Sequence, residues 1–270
     1  MPIKLIMTDV DGTLINSDRK IPDKNIDAIR YAQSKGVYIA IASGRSFLSL
    51  KQYSDILGIS DNYLVSFNGC YIQHDGEIVQ SYQLKREAII DIYEQLLEFD
   101  VSRLIYATPF VGLVDRESYE LDFYRELSLI DYKRITDLRT ETVLGETAPK
   151  LIVMSLDEEL LAEAKAKTDT YLSRANNGIK SMFSAKTLLE YTSGQATKGT
   201  ALEFVAGKLG IDIKDTMAFG DNFNDVEMLE TAGIGVCIGS GETGVKQYAD
   251  YVTSASNDDG ALAEAIYKFI

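Results

Sequence analysis

Short apolar runs alternate with helix-like segments along much of this 270-residue chain. Each run has the length of one buried strand, and every run except the third is followed by a segment with the apolar spacing of a helix. Alternation of this kind predicts a parallel α/β sheet. The apolar runs are residues 3-8, 37-42, 63-67, 215-219 and 234-238.

The rhythm changes in a central block of about a hundred residues, which is large enough to form a domain of its own. We therefore predict a discontinuous core formed by residues 1-82 and 189-270. Residues 83-188 are predicted to form an α+β domain that is inserted into the core and placed above it. Within the insert, strands are predicted at 104-107, 111-114, 151-156, 180-184 and 187-192, and helices at 86-98, 117-128 and 157-172.

Acidic residues outnumber basic ones by 41 to 27, which gives a formal net charge of −14. This charge argues against a nucleic-acid partner, because phosphate backbones are bound by clustered Lys and Arg. No segment approaches the ~20 consecutive apolar residues of a membrane helix, so we expect no membrane partner and a cytoplasmic location. Cys70 and Cys237 form no CxxC pair and are expected to be buried, without a disulfide or zinc site.

The single histidine, His74, is expected at the surface in a hairpin turn, since Asp75-Gly76 follows it between two strand-like runs. The absence of a second histidine excludes a metal site built from a histidine cluster. It also makes a Ser-His-Asp triad implausible. Any hydrolytic chemistry must therefore depend on carboxylates, lysine or hard metal ions.

Two carboxylates follow the first predicted strand directly. Open α/β sheets place their ligands at the carboxyl ends of the strands, where Asp9 and Asp11 are expected. If the extended backbone continues through Asp11, the two side chains point the same way and face one pocket. Gly12 then allows the chain to turn sharply. The alternative is an ordinary turn, since Asp and Gly are common turn residues.

Four short motifs follow one another along the chain: Asp9-Val10-Asp11-Gly12-Thr13, Ser43-Gly44-Arg45, Lys198-Gly199, and Gly220-Asp221 with Asn224-Asp225. The first, second and fourth each end an apolar strand. Together, and in this order, they resemble the signature of the haloacid dehalogenase superfamily, and within it the Cof or YidA type of bacterial sugar phosphatase. The resemblance implies a doubly wound, Rossmann-like parallel sheet with an inserted α+β cap domain.

The resemblance also implies a reaction. Asp9 would be the nucleophile that forms an aspartyl phosphate, and Asp11 would protonate the leaving oxygen and then deprotonate the attacking water. The implied cofactor is Mg²⁺, which prefers oxygen ligands. Asp9, the carbonyl oxygen of Asp11 and Asp221 would supply those ligands.

The remaining motif residues would bind the phosphate. Ser43, Gly44, Lys198 and Asn224 are implied to contact it, while Asp225 would position Lys198 or metal-bound water from behind. Two of these residues have alternative interpretations. Ser43 can instead be the N-cap of a helix, and a lysine that begins a helix is usually a solvated surface residue.

The spacing of the motifs indicates where the cap is inserted. Only 31 residues separate Asp11 from Ser43, whereas 154 separate Ser43 from Lys198. The insertion must therefore follow the second motif, as in the Cof type, and not precede it, as in relatives similar to β-phosphoglucomutase.

Four further residues resemble positions that line the substrate site in the group: Arg45, Asn68, Gly69 and Glu190. Asn68-Gly69 can instead be a simple turn, and Glu190 a carboxylate at a strand edge. The predicted partner is a small phosphorylated metabolite, with the oligomeric state left open.

Two departures from the group pattern weaken the assignment of a substrate. Thr197 stands where asparagine is common, and Ile238-Gly239-Ser240 stands where Met-Gly-Asn is common. Two alternative functions stay open at this point. One is a phosphohexomutase similar to phosphomannomutase, which shares the cap position. The other is a non-enzymatic phospho-acceptor signalling domain, which needs neither Asp11 nor a cap.

Overall fold

The computed structural model describes residues 2–59, 62–108, 110–175 and 177–270, and for residues 123, 126 and 127 only the backbone. The chain forms two compact units. The first contains the residues up to Gly44, Leu50–Gln80 and Thr197–Ile270, and the second contains Arg45–Ser49 and Ser81–Ala196. No helix among the described residues is long and apolar enough to cross a membrane.

The secondary structure follows the predicted alternation. The strands are β1 (Leu5–Thr8), β2 (Tyr38–Ala42), β3 (Leu64–Ser66), β4 (Tyr71–His74), β5 (Glu77–Ser81), β6 (Leu84–Lys85), β7 (Ser102–Thr108), β8 (Val111–Val114), β9 (Asp131–Arg134), β10 (Thr147–Ala148), β11 (Lys150–Met154), β12 (Ile179–Ala185), β13 (Leu188–Ser193), β14 (Thr216–Gly220), β15 (Ile234–Cys237) and β16 (Tyr251–Val252). The helices are α1 (Asp23–Ser34), α2 (Phe47–Leu57), α3 (Arg86–Leu96), α4 (Tyr119–Ser128), α5 (Glu158–Ala175), α6 (Lys198–Leu209), α7 (Val226–Thr231) and α8 (Ala261–Phe269).

The first unit is built on one sheet with the strand order β16-β15-β14-β1-β2-β3-β4-β5. The strands from β16 to β3 are parallel, and β1 lies in the middle, where Leu5 pairs with both Thr216 and Tyr38. Leu5 and Met7 are fully buried and pack with residues of α6 and α7, while Ile6 points to the opposite face. The predicted α/β class with a parallel sheet is confirmed. Because β14, β1, β2 and β3 are neighbours, their carboxyl ends lie side by side.

Asp75 and Gly76 form the tight turn between β4 and β5, with φ angles of 51° and 79°. His74 is the last residue of β4, beside the turn and not in it, and its ring stacks on Tyr63 at 4.4 Å. Both cysteines are free and buried, as predicted.

The second unit contains a sheet with the order β12-β13-β11-β7-β8-β9, antiparallel except for the pair β8 and β9. One face packs against α3 and α5 through residues such as Ile105, Leu151 and Leu189. Lys150 and Glu190 are also buried in this unit, with Lys150 Nζ at 3.1 Å from both Glu190 carboxylate oxygens. Every strand and helix predicted in the insert is present.

The predicted boundary at residue 189 requires a correction. It falls inside β13, which pairs with β11 and β12 and so belongs to the sheet of the second unit. The first unit resumes only at Thr197. A sequence pattern identifies a strand but not the sheet that the strand joins, because strand pairing depends on residues far away in the chain. That residues 83-188 act as a cap stays a prediction.

We predict that Gly69→Ala destabilises the first unit. Gly69 has φ +104°, and a Cβ atom there would lie 2.4 Å from the carbonyl oxygen of Thr197 at the start of α6. Left-handed strain and overpacking each cost about 1–3 kcal/mol, so the free energy of unfolding should fall by about 2 kcal/mol or more in urea denaturation.

Gly207→Ala is the matched control. Gly207 lies within α6 and nothing is within 4 Å of its Cβ position, so alanine should be neutral or stabilise by up to about 1 kcal/mol. A Gly69→Ala variant with the wild-type urea midpoint would contradict the close packing of this turn.

Candidate functional site

Asp9 is fixed at the carboxyl end of β1. Its backbone is extended, and its amide donates to the carbonyl of Phe219 in β14 at 2.9 Å. The side chain is only 5% exposed. Asp11 has an extended backbone as well but is exposed. A helical turn at Val10 interrupts the extended chain between the two residues. The prediction that an unbroken extended backbone aligns both carboxylates is therefore wrong, although both belong to the same loop.

Gly12 turns the chain immediately after Asp11, as predicted. It has φ +73°, and a Cβ atom there would lie 2.4 Å from Oδ2 of Asp221. Thr13 then donates its hydroxyl to Oδ1 of Asp221 at 2.7 Å. The first motif thus holds the aspartate of the fourth motif, a contact that sequence analysis did not identify.

Lys198 is the central cation of the site. It is the first residue of α6, and Thr197 and Thr200 form a capping box at that helix end. Its side chain is fully buried, with Nζ at 2.6 Å from Asp9 Oδ1 and at 2.5 Å from Asp225 Oδ1. Burial disfavours the ammonium form, but the two carboxylates outweigh burial and raise the pKa of Lys198 above its ordinary value. The alternative of a solvated surface lysine is wrong.

Asp225 holds this arrangement from behind. While Oδ1 accepts from Lys198, Oδ2 accepts from the backbone amides of Asp221 and Asn222 at 2.9 and 3.1 Å. Both carboxylate oxygens are therefore engaged within the protein, and the residue is fully buried. These contacts fix Lys198 and the start of the fourth motif relative to one another.

The carboxylates of the site carry more negative charge than Lys198 offsets. Burial is the largest cause that raises the pKa of Asp9 well above its usual range, and the charges of Asp225, Asp221 and Asp11 raise it further while Lys198 lowers it. Burial and then Asp225 raise the pKa of Asp221 to about 6. The charge of Asp11 is a further, smaller cause of both shifts.

A hard divalent cation fits this cluster. Asp9, Asp221 and Asp225 each offer a carboxylate oxygen within 4.8 Å of the others. The donors are all oxygen atoms, as Mg²⁺ prefers, and no histidine or cysteine among the described residues belongs to this group. A bound cation would also favour the ionised carboxylates whose pKa values burial raises.

Ser43 and Gly44 lie at the end of β2, beside β1. Ser43 is buried and its amide donates to the carbonyl of Val65 in β3 at 3.0 Å. The alternative role of Ser43 as a helix N-cap is wrong. Ser46 performs that role at α2, because its hydroxyl accepts from the amide of Ser49 at 3.3 Å.

Asn68, Gly69 and Asn224 also belong to the first unit. Asn68 follows β3, is 5% exposed, and accepts from Asn224 Nδ2 through its Oδ1 at 3.0 Å. The Asn68 side chain lies beside Gly44, since a Cβ atom on Gly44 would be 3.2 Å from Asn68 Nδ2. The structure therefore brings residues of the second and fourth motifs together through Asn68.

Arg45 and Glu190 belong to the second unit. Arg45 donates to the Ser49 hydroxyl at 2.9 Å. Glu190 lies in the inner strand β13, where it pairs with Lys150 and accepts from the Ser184 hydroxyl at 2.8 Å, so its interpretation as a strand-edge carboxylate is wrong. The substrate-binding role predicted for both residues stays a prediction.

The two departures from the group pattern have local contacts. Thr197 accepts from the amide of Thr200 at 3.0 Å and so caps the helix that carries Lys198. The Ser240 hydroxyl donates to Oδ1 of Asn257 at 2.9 Å and connects two loops of the first unit.

Comparison with known proteins agrees with this geometry. A family model described as haloacid dehalogenase-like hydrolase matches residues 6–266. The 5-amino-6-(5-phospho-D-ribitylamino)uracil phosphatase YcsE of Bacillus subtilis is 28% identical over 269 residues, which are 99% of this chain and 96% of that protein.

Two solved structures share the fold. A haloacid dehalogenase-like hydrolase of Bacteroides thetaiotaomicron aligns with a TM-score of 0.87 and 25% identity over 99% of this chain and 100% of its own. TM0651 of Thermotoga maritima aligns with a TM-score of 0.84 and 26% identity over 99% and 98% of the two chains. The resemblance predicted from four motifs is confirmed: the chain is a phosphoric monoester hydrolase and belongs to the family of haloacid dehalogenase-like hydrolases.

Proposed function

We propose that this protein is a magnesium-dependent phosphatase that hydrolyses small phosphate monoesters, above all sugar phosphates, through an aspartyl phosphate on Asp9. The observation that carries the proposal is the buried Asp9 carboxylate at the end of β1, held at 2.6 Å by Lys198 and fixed through its backbone to β14. A nucleophile must be held in one orientation to attack phosphorus in line with the leaving oxygen. Asp9 meets this requirement.

In the first step, an oxygen of Asp9 forms a bond to phosphorus while the bond from phosphorus to the ester oxygen breaks. The leaving oxygen takes a proton from Asp11, which lies exposed on the same loop and so can reach a substrate atom. In the second step, Asp11 accepts a proton from water as that water attacks phosphorus. Inorganic phosphate is released and the Asp9 carboxylate is restored.

The metal would be held by Asp9, Asp221 and the carbonyl oxygen of Asp11. When bound, Mg²⁺ supplies positive charge that offsets the negative charge of the phosphoryl oxygens. Asp225 has both oxygens engaged by Lys198 and by two backbone amides, which supports a role in positioning and not as a direct ligand. Thr13 holds Asp221 in place.

The phosphoryl group would be bound by Ser43, Gly44, Lys198 and Asn224. Lys198 begins α6, where the positive end of the helix dipole also favours an anion. These groups come from three separate motifs at the same edge of the sheet.

The substrate class is supported by two observations. The relative from Bacillus subtilis is named for a small phosphorylated ribityl compound. The net charge of −14 repels long polyanions, and only local cations at the site offset this repulsion. Arg45, Asn68, Gly69 and Glu190 are proposed to contact the substrate. We expect the reaction to take place in the cytoplasm.

A screen of phosphorylated metabolites, with released phosphate as the readout, tests the proposal. Hydrolysis of sugar phosphates with Mg²⁺, and its loss in EDTA, would support it. A phosphoryl group that is moved to another position of the sugar without release of phosphate would instead identify a mutase. Membership of a hydrolase family removes the non-enzymatic phospho-acceptor domain from consideration.

The assignment of the nucleophile predicts the effect of Asp9→Asn. The amide cannot attack phosphorus, so turnover should fall to the background of the assay while circular dichroism shows an intact fold. A variant that keeps a tenth of the wild-type turnover would rule out the covalent step.

The role of Asp11 predicts a dependence on the leaving group. For Asp11→Asn, the loss of kcat/KM should be larger with a sugar phosphate than with p-nitrophenyl phosphate, because an alkoxide needs the proton more than a phenolate does. Burst kinetics should confirm that formation of the phosphoenzyme limits both rates. Equal losses under those conditions would argue against general acid catalysis by Asp11.

The charge imbalance predicts how stability depends on pH and metal. Because the folded pKa of Asp221 is raised to about 6, its contribution to stability is greatest below its unfolded pKa of about 4 and is lost as pH rises through about 6. In EDTA, Asp221→Asn should therefore melt at a higher temperature than the wild type at about pH 7.5, and the gap should shrink towards about pH 5.

Addition of Mg²⁺ at the higher pH should raise the melting temperature of the wild type more than that of the variant, because Asp221 binds the cation. A variant that is no more stable than the wild type in EDTA at the higher pH would contradict the charge imbalance.

A further inference from the structure

The Asn68 side chain has one hydrogen-bonding atom in use and one without a partner. Its Oδ1 accepts from Asn224 Nδ2 at 3.0 Å. Its Nδ2 is buried and has no hydrogen-bond acceptor among the residues that the structure describes. A buried donor without an acceptor costs free energy, so this atom calls for a partner that binds during function.

The backbone around Asn68 is unusual as well. Phe67, Asn68 and Gly69 all have positive φ angles, of 52°, 55° and 104°. Such a conformation is costly for a bulky residue such as phenylalanine and persists only when the surrounding contacts enforce it. Here the backbone amide of Asn68 donates to the backbone carbonyl of Ser43 at 2.9 Å, and Gly69 packs closely against the backbone of Thr197.

These contacts connect Asn68 to three of the four motifs. Ser43 belongs to the second, Thr197 directly precedes Lys198 of the third, and Asn224 belongs to the fourth. All of these residues lie in the first unit. A left-handed turn at the end of β3 therefore holds the side-chain amide of Asn68 beside the proposed phosphate-binding groups.

The chemistry of the neighbours indicates which ligand the free donor takes. The Lys198 ammonium, the amino-terminal end of α6 and the Ser43 hydroxyl are all groups that attract or donate to an anion. Gly44 places no side chain against the Asn68 amide, where a Cβ atom would lie 3.2 Å from Nδ2. An oxyanion matches this set better than a neutral hydroxyl of a leaving group does.

We propose that Asn68 Nδ2 donates a hydrogen bond to an oxygen of the transferred phosphoryl group, while Asn224 orients the Asn68 amide. This inference rests on the proposed function and refines the predicted role of Asn68, from contact with the substrate in general to contact with its phosphate. It distinguishes Asn68 from residues that recognise the leaving group. Its effect must therefore be the same for every substrate.

The test compares variants in their binding of inorganic phosphate with Mg²⁺, measured by calorimetry. Asn68→Gly removes the amide, tolerates the positive φ and adds no charge. Asn68→Asp keeps an acceptor for Asn224 but removes the donor. Both variants should weaken phosphate binding at least about tenfold, which corresponds to about 1.4 kcal/mol. Both should also lower kcat/KM by one common factor for a sugar phosphate and for p-nitrophenyl phosphate.

Ser66→Ala is the matched control, because Ser66 lies two residues away in β3 and its buried hydroxyl likewise has no partner among the described residues. It should leave phosphate binding unchanged. The Asn68→Gly change should also weaken phosphate binding further in an Asn224→Ala background, which separates direct donation from an effect transmitted through Asn224.

If the affinity of Asn68→Gly for phosphate lay within about twofold of the wild-type affinity, the inference would be overturned. A loss that differs between the two substrates, or no further loss in the Asn224→Ala background, would overturn it as well. If the wild type released phosphate from no monoester, the proposed function would fail, whereas calorimetry would still test the donor.

Discussion

The buried ammonium of Lys198, shared between Asp9 and Asp225, is the interaction on which the site depends. A charged lysine without solvent is tolerated only when carboxylates pair with it, and removal of one partner from a buried pair costs about 3–5 kcal/mol. Asp9 comes from the end of β1, Lys198 from the start of α6, and Asp225 from the segment after β14. The pairing therefore fixes three chain segments that are far apart in sequence.

The sheet also brings these segments together. With the strand order β14-β1-β2-β3, the carboxyl ends of four neighbouring strands meet at one edge. Each of those ends carries a polar segment of the site. Gly12 then allows the loop after β1 to lie close to Asp221, since a side chain on Gly12 would overlap that carboxylate. The site holds a surplus of negative charge, which a bound divalent cation would offset.

Much of the fold and many residues of the site could be predicted from the sequence, because they depend on local patterns. Apolar runs of strand length predicted the parallel sheet. The four motifs identified Asp9, Lys198, Asp221 and Asp225 as residues that belong together. These signals lie within a few residues of each other or follow a fixed order.

The rest depends on contacts that no local pattern encodes. The membership of β13 in the second sheet, the hydrogen bond from Thr13 to Asp221 and the pairing of Asn68 with Asn224 all join residues distant in the chain. Where a local rule was misleading, a nearby residue fulfilled the same role. Ser46 caps α2 in place of Ser43, because the chain continues beyond Gly44 before the helix begins.

Asp9 carries the phosphoryl group during turnover in the mechanism proposed for this enzyme. Acid quenching of the enzyme during hydrolysis of a good substrate, followed by mass spectrometry of its peptides, measures this directly. We predict a phosphoryl group on Asp9 that appears within the first turnover, decays when substrate is exhausted and is absent from Asp9→Asn. Sustained release of phosphate, with no phosphorylated Asp9 at any quench time and a single kinetic phase, would show that water attacks the substrate directly and would contradict the account.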